Sequence, residues 1–150
     1  MLAAGAPLPD VSLADDEGHM VDLASLAGRP LVIYFYPRAD TPGCTNEAIQ
    51  FRDDYKKFTK KGAQIIGVSR DSVAAQAKFK AKYDLPFPLF ADVDSKMCDA
   101  FGVIVEKNMY GKKSMGVQRA TFLVGVDGKI EKVWPKVSVA GHAAEVLKSL

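Results

Sequence analysis

Leu31-Val32-Ile33-Tyr34-Phe35-Tyr36 is an unbroken run of apolar, β-branched and aromatic side chains, and Pro37 stops it. A strand with one wet face alternates apolar and polar residues. A strand without alternation must be covered on both faces, so this run calls for a central strand in a parallel or mixed sheet. Gln64-Ile65-Ile66-Gly67-Val68-Ser69 reads as a second such strand. Between them, Ala48, Phe51, Tyr55 and Phe58 recur at helical spacing and share one face. Lys56, Lys57, Lys60 and Lys61 suit the negative end of that helix dipole, and Gly62 supplies a stop.

The rest of the chain extends the alternation. Asp10 to Leu23 reads as two short strands around the turn-rich Asp15-Asp16-Glu17-Gly18. A helix over Ser72–Tyr83 aligns Ala75, Phe79 and Tyr83, and Pro86-Phe87-Pro88 breaks it before a strand at Leu89-Phe90-Ala91. Asp94 or Ser95 is placed to cap a short helix carrying Met97, Cys98 and Phe101. A polar, glycine-containing stretch runs from Val105 to Gln118. Thr121–Val126, the turn Asp127-Gly128, and Ile130–Trp134 form a hairpin. A last helix covers about Gly141 to Leu150. The pattern predicts one α/β domain over residues 1–150, a mixed central β-sheet flanked by helices, with no internal repeat.

Charge excludes some partners. The net charge of +2 comes from 20 basic and 18 acidic side chains mixed along the chain, which favours neither nucleic acid nor an anionic membrane. No apolar run has the length of a membrane span. Met1–Pro7 lacks the basic start of a secretory signal, so a cytoplasmic location is expected. Two cysteines, Cys44 and Cys98, are too few for a disulfide scaffold. With His19 and His142 the only histidines, nothing has zinc-ligand spacing.

Cys44 falls where chemistry is expected. Pro42 suits the first helical position, where its missing N–H costs nothing. Thr41 is then the N-cap, and Cys44 lies in the first turn. Amides there have no intrahelical acceptor and the dipole adds partial positive charge, which favours a thiolate, the nucleophilic form. Gly43 leaves room for a substrate beside those amides. The competing reading is a small buried cysteine behind a well-formed cap. A helix start directly after a central strand favours the reactive reading, because α/β folds place sites at the carboxyl ends of strands. A thiol–disulfide exchanger of the Cys-x-x-Cys kind is disfavoured, since the position three after Cys44 is Glu47. Glu47 itself reads as a first-turn acid favoured by the dipole.

The segment Pro37-x-x-x-Thr41-x-x-Cys44, set between Tyr34-Phe35-Tyr36 and Thr45-Asn46-Glu47-Ala48, resembles the active-site motif of the peroxiredoxins. Glu106-Lys107, Gly116-Val117-Gln118-Arg119-Ala120-Thr121-Phe122 and Asp127-Gly128-Lys129-Ile130 extend the resemblance to the bacterioferritin comigratory protein, or peroxiredoxin Q, group, from about Gly5 to Lys148. The resemblance implies a thioredoxin-like fold. It also implies reduction of hydrogen peroxide and organic hydroperoxides without metal or bound cofactor. Cys44 becomes the peroxidatic cysteine, with Thr41, Arg119 and Pro37 as the other active-site residues. A monomer or weak dimer is further implied.

The chain departs from that group in its second thiol. Many members carry a resolving cysteine five residues after the peroxidatic one, here Ile49, and others in the next helix, near Lys80 here. Cys98 reads as buried and inert; the alternative, a resolving role, needs it to come within disulfide distance of Cys44. A one-cysteine cycle follows, in which an external thiol (glutathione, glutaredoxin or thioredoxin) attacks the oxidised sulfur. Ile104 also stands where members often have an aromatic residue. The alternative is a thiol-based redox sensor or holdase without turnover, which would need neither Thr41 nor Arg119 around the sulfur.

Overall fold

The computed structural model describes residues 1–150. The strands are β1 (Ser12–Asp15), β2 (Met20–Asp22), β3 (Leu31–Phe35), β4 (Gln64–Ser69), β5 (Leu89–Ala91), β6 (Ile104–Met109), β7 (Lys112–Val117), β8 (Ala120–Val124) and β9 (Ile130–Trp134). The helices are α1 (Pro42–Lys60), α2 (Val73–Tyr83), α3 (Lys96–Phe101) and α4 (His142–Lys148), and Leu23–Leu26 forms one 3-10 turn. The main sheet has seven strands in the order β2-β1-β5-β4-β3-β8-β9. β3 is parallel to β4 and antiparallel to β8, so the sheet is mixed and β3 lies inside it.

Alternation along β3 divides the interior in two. Ile33 and Phe35 join one core with Phe90, Met97, Cys98, Phe101 and Phe122. Val32, Tyr34 and Tyr36 join the other with Cys44, Phe51, Phe58, Phe79 and Val146. Side chains two apart share a face, so α3 covers one side of the sheet while α1, α2 and α4 cover the other. α1 docks through Ala48, Phe51 and Phe58, all fully buried, at the spacing read from the sequence. Burying an aromatic of this kind contributes about 1.5–3 kcal/mol. α4 is fastened beside it, where Thr121 Oγ1 and His142 Nε2 meet at 2.8 Å.

Two expectations are corrected. The polar stretch from Val105 to Gln118 is largely a second sheet, the β6–β7 hairpin, paired from Ile104↔Val117 to Met109↔Lys112. Its turn is Tyr110-Gly111, both at positive φ (53° and 77°), the backbone of a two-residue hairpin turn usually signalled by Asn-Gly. Ser95 is the N-cap residue of α3 but makes no side-chain bond, and Asp94 Oδ1 reaches only the first amide, Lys96 N, at a long 3.5 Å. The buried Asp92 does the work instead, accepting from Met97 N at 3.1 Å and Cys98 N at 2.7 Å. A carboxylate four residues before the first helical residue reaches both free amides, which a capping pattern based on the adjacent residue does not reveal. No helix is long and apolar enough to cross a membrane.

Candidate active site

The register of the central strands assembles the site. Phe35 on β3 is opposite Ala120 on β8, so the residues just beyond, Pro37 and Arg119, emerge at one end of the sheet. Pro37 ends β3 as expected and is half-buried. Pro42 occupies the first turn of α1 behind Thr41, and Cys44 follows, 1% exposed.

Arg119 unites these elements. Its Nη2 donates to Cys44 Sγ at 3.3 Å, and its Nη1 donates to Glu47 Oε1 at 2.7 Å. The planar fork of a guanidinium permits both at once. A Cβ at position 43 would meet Arg119 Nη2 at 3.2 Å, so the space left by Gly43 is taken by the guanidinium. Backbone bonds fix the base of Arg119, whose carbonyl accepts from Val137 N at 3.0 Å. Burial works against its charge, but Glu47 and Cys44 together hold it above its ordinary value.

Thr41 is the N-cap residue, but its side chain makes no capping bond. Its Oγ1 donates to Arg38 O at 2.8 Å instead. The hydroxyl proton is thereby committed, and the oxygen keeps its capacity as an acceptor.

The loop from Pro37 to Thr41 is tied down by groups outside it. Tyr36 Oη donates to Gln76 Oε1 at 2.6 Å, and Gln76 Nε2 donates to Ser69 Oγ at 2.9 Å. Ser69 Oγ in turn donates to Asp71 Oδ2 at 2.6 Å, the same oxygen that accepts Ala39 N at 2.8 Å. Asp40 lies in the left-handed region (φ 59°). Lys82 Nζ and Tyr83 Oη hold its carboxylate at 2.8 and 2.6 Å and keep its carboxyl below the usual range.

The AhpC/TSA family model matches residues 4–133, across both Cys44 and Arg119. The chain belongs to this family. Among its relatives are peroxiredoxin Bcp of Xanthomonas campestris, 49% identical over 94% of this chain and 88% of that one, and peroxiredoxin Bcp of Bacillus subtilis, 45% identical over 97% and 93%. The solved bacterioferritin comigratory protein of X. campestris superposes with a TM-score of 0.92, at 46% identity over 98% of this chain and 96% of that one. The resemblance to the peroxiredoxin Q group therefore holds along the whole chain, and with it the thioredoxin-like fold. This peroxiredoxin is a thiol-dependent peroxidase.

Its second thiol lies elsewhere. Cys98 is fully buried in the core opposite that of Cys44, with the sheet between them. Burial, then Asp92, push its thiol far up. A disulfide needs Cα atoms about 4.4–6.8 Å apart, which elements on opposite faces of a sheet cannot reach without unfolding. At the other resolving positions of the family, Ile49 is half-buried in α1 and Lys80 Nζ lies 3.4 Å from Asp16.

Glu47 is the residue the sequence reading undervalued. It is fully buried, and Oε1 alone is bonded, to Arg119; Oε2 has no partner. Its first-turn position had an adequate explanation in the dipole, and no local signal announces a partner 72 positions away. Burial pushes its carboxyl up from 4.5 to about 7, against the pull of Arg119. The folded protein therefore holds this proton more tightly than the unfolded chain. Stability is greatest below about pH 4.5 for this group and declines as pH rises to about 7. At about 1.4 kcal/mol per pH unit the decline is about 3 kcal/mol. Urea unfolding across this range should show that slope in the wild type and lose it in Glu47→Gln, whose amide oxygen still accepts from Arg119.

Proposed function

We propose that Cys44 is the peroxidatic residue and Arg119 its counter-ion, with Thr41 and Pro37 shaping the approach. The observation that carries this reading is the forked guanidinium, one arm on Sγ and the other on a buried carboxylate. Attack of the thiolate on the terminal oxygen of ROOH forms the S–O bond and breaks O–O. The sulfur leaves as Cys–SOH, and RO⁻ departs and takes a proton to become ROH. The Arg119 guanidinium and the free first-turn amides lie where the negative charge moves. Thr41 Oγ1, its proton given to Arg38, accepts from the peroxide O–H. Pro37, with no N–H, closes the end of β3 and limits water beside the sulfur.

An external thiol completes the cycle: it attacks Cys–SOH, releases water and leaves a mixed disulfide, which a second thiol reduces. The reductant is glutathione, glutaredoxin or thioredoxin, acting on a monomer or weak dimer in the cytoplasm. The X. campestris relative has been studied for alkyl peroxide reduction, and the same oxidant class is proposed here beside hydrogen peroxide. Peptide mapping after peroxide treatment with a sulfenic-acid trap should find the adduct on Cys44 and leave Cys98 untouched. A Cys44–Cys98 disulfide within the monomer would overturn the one-cysteine cycle, and an unmodified Cys44 would overturn the assignment itself.

A further inference from the structure

The β6–β7 hairpin brings cations to the mouth of the site that the peroxidase chemistry above does not use. Its second strand runs through Val117 and Gln118 into Arg119. Lys107 lays its stem across that strand: a Cβ on Gly116 would meet Lys107 Cδ at 3.1 Å and Cε at 3.3 Å. Arg70 reaches the same place from the end of β4, where its Nη2 donates to Met115 O at 3.3 Å. β4 and β3 are parallel neighbours, with Val68 beside Phe35, so Arg70 leaves the sheet at the same end as Pro37.

Neither Arg70 nor Lys107 has a carboxylate within ion-pair distance. Their acidic neighbours are engaged: Glu106 with Lys113 at 3.6 Å, and Asp71 with Ser69 and Ala39. Arg119 shares its charge with Glu47 and the sulfur. Burial, then Arg119, hold the Lys107 ammonium below its ordinary value, while Cys44 pulls the other way. These groups therefore feel one another, and their excess is positive.

We propose that Arg70 and Lys107 form a carboxylate-binding subsite beside Cys44, which holds the anionic tail of a small substrate while its reactive end meets the sulfur. This rests on Cys44 being the reacting atom. Hydrogen peroxide has no such tail; a carboxylate-bearing hydroperoxide or a carboxylate-bearing thiol does. Two half-buried cations engage a carboxylate through charge-assisted hydrogen bonds, stronger than neutral ones.

Rates of the full-length protein with matched pairs test this: a carboxylate-bearing alkyl hydroperoxide against its methyl ester, and glutathione against its diester. The wild type should prefer the charged member of at least one pair, and added salt should weaken the preference. Arg70→Gln/Lys107→Met should lower that preference about tenfold, and Lys107→Arg should retain it. Loss in the hydroperoxide pair assigns the subsite to the oxidant, and loss in the thiol pair assigns it to the reductant. No change in either ratio would overturn the subsite. A wild type unreactive with both members of the hydroperoxide pair would overturn the role of Cys44, and the subsite with it.

Discussion

Cys44→Ser is expected to consume hydroperoxide no faster than the buffer does, with any reducing thiol supplied. The change is a single atom. An alkoxide cannot be sustained near neutral pH by one guanidinium and a few amides, so the nucleophile is lost while the site keeps its shape. The serine hydroxyl can still accept from Arg119, and the side chain stays at a fully packed position, so thermal unfolding should move little. Cys98 cannot stand in. It is sealed in the opposite core with its thiol pushed up by burial and by Asp92. Cys98→Ser should therefore retain most turnover. Peroxide consumption by purified variants decides the matter, and sustained activity in Cys44→Ser would refute the assignment.

Arg119→Met is expected to slow sulfur oxidation by about 10²–10³-fold, the usual cost of removing one donor from developing negative charge. It should also destabilise the protein, for a separate reason. Glu47 would be left fully buried without its only partner. Breaking a buried pair costs about 3–5 kcal/mol, partly recovered here because the carboxyl is already held near pH 7 and can take up a proton. Adding Glu47→Gln removes the stranded charge. Arg119→Met/Glu47→Gln should regain stability in urea yet remain slow with peroxide. Stopped-flow oxidation beside equilibrium unfolding separates the two losses. A single variant that keeps the wild-type rate would show that the guanidinium merely props the helix.

The sequence announced what depends on neighbours along the chain. The unbroken run before Pro37, Pro42 at the head of α1 and the helical spacing of Ala48, Phe51 and Phe58 are local signals, and the structure carries them. What it concealed depends on contacts across the fold. Glu47 had a sufficient local explanation until Arg119 arrived from the link between β7 and β8. Thr41 had the right identity for a capping side chain, but its hydroxyl is oriented by donation to the Arg38 carbonyl and accepts from no first-turn amide. The β6–β7 hairpin escaped because its polar strands bury little, and its Tyr110-Gly111 turn lacks the usual dipeptide. Nothing local in the sequence shows that Lys107 lies across Gly116.

A hydroperoxide is a very small ligand, and even the best contacts yield about 1.5 kcal/mol per heavy atom. Such a guest has too little to give for it to organise its own receptor. The string of bonds from Tyr36 through Gln76, Ser69 and Asp71 to the Ala39 amide settles that cost when the chain folds. Side chains that never meet the oxidant thereby hold the cradle ready before it arrives.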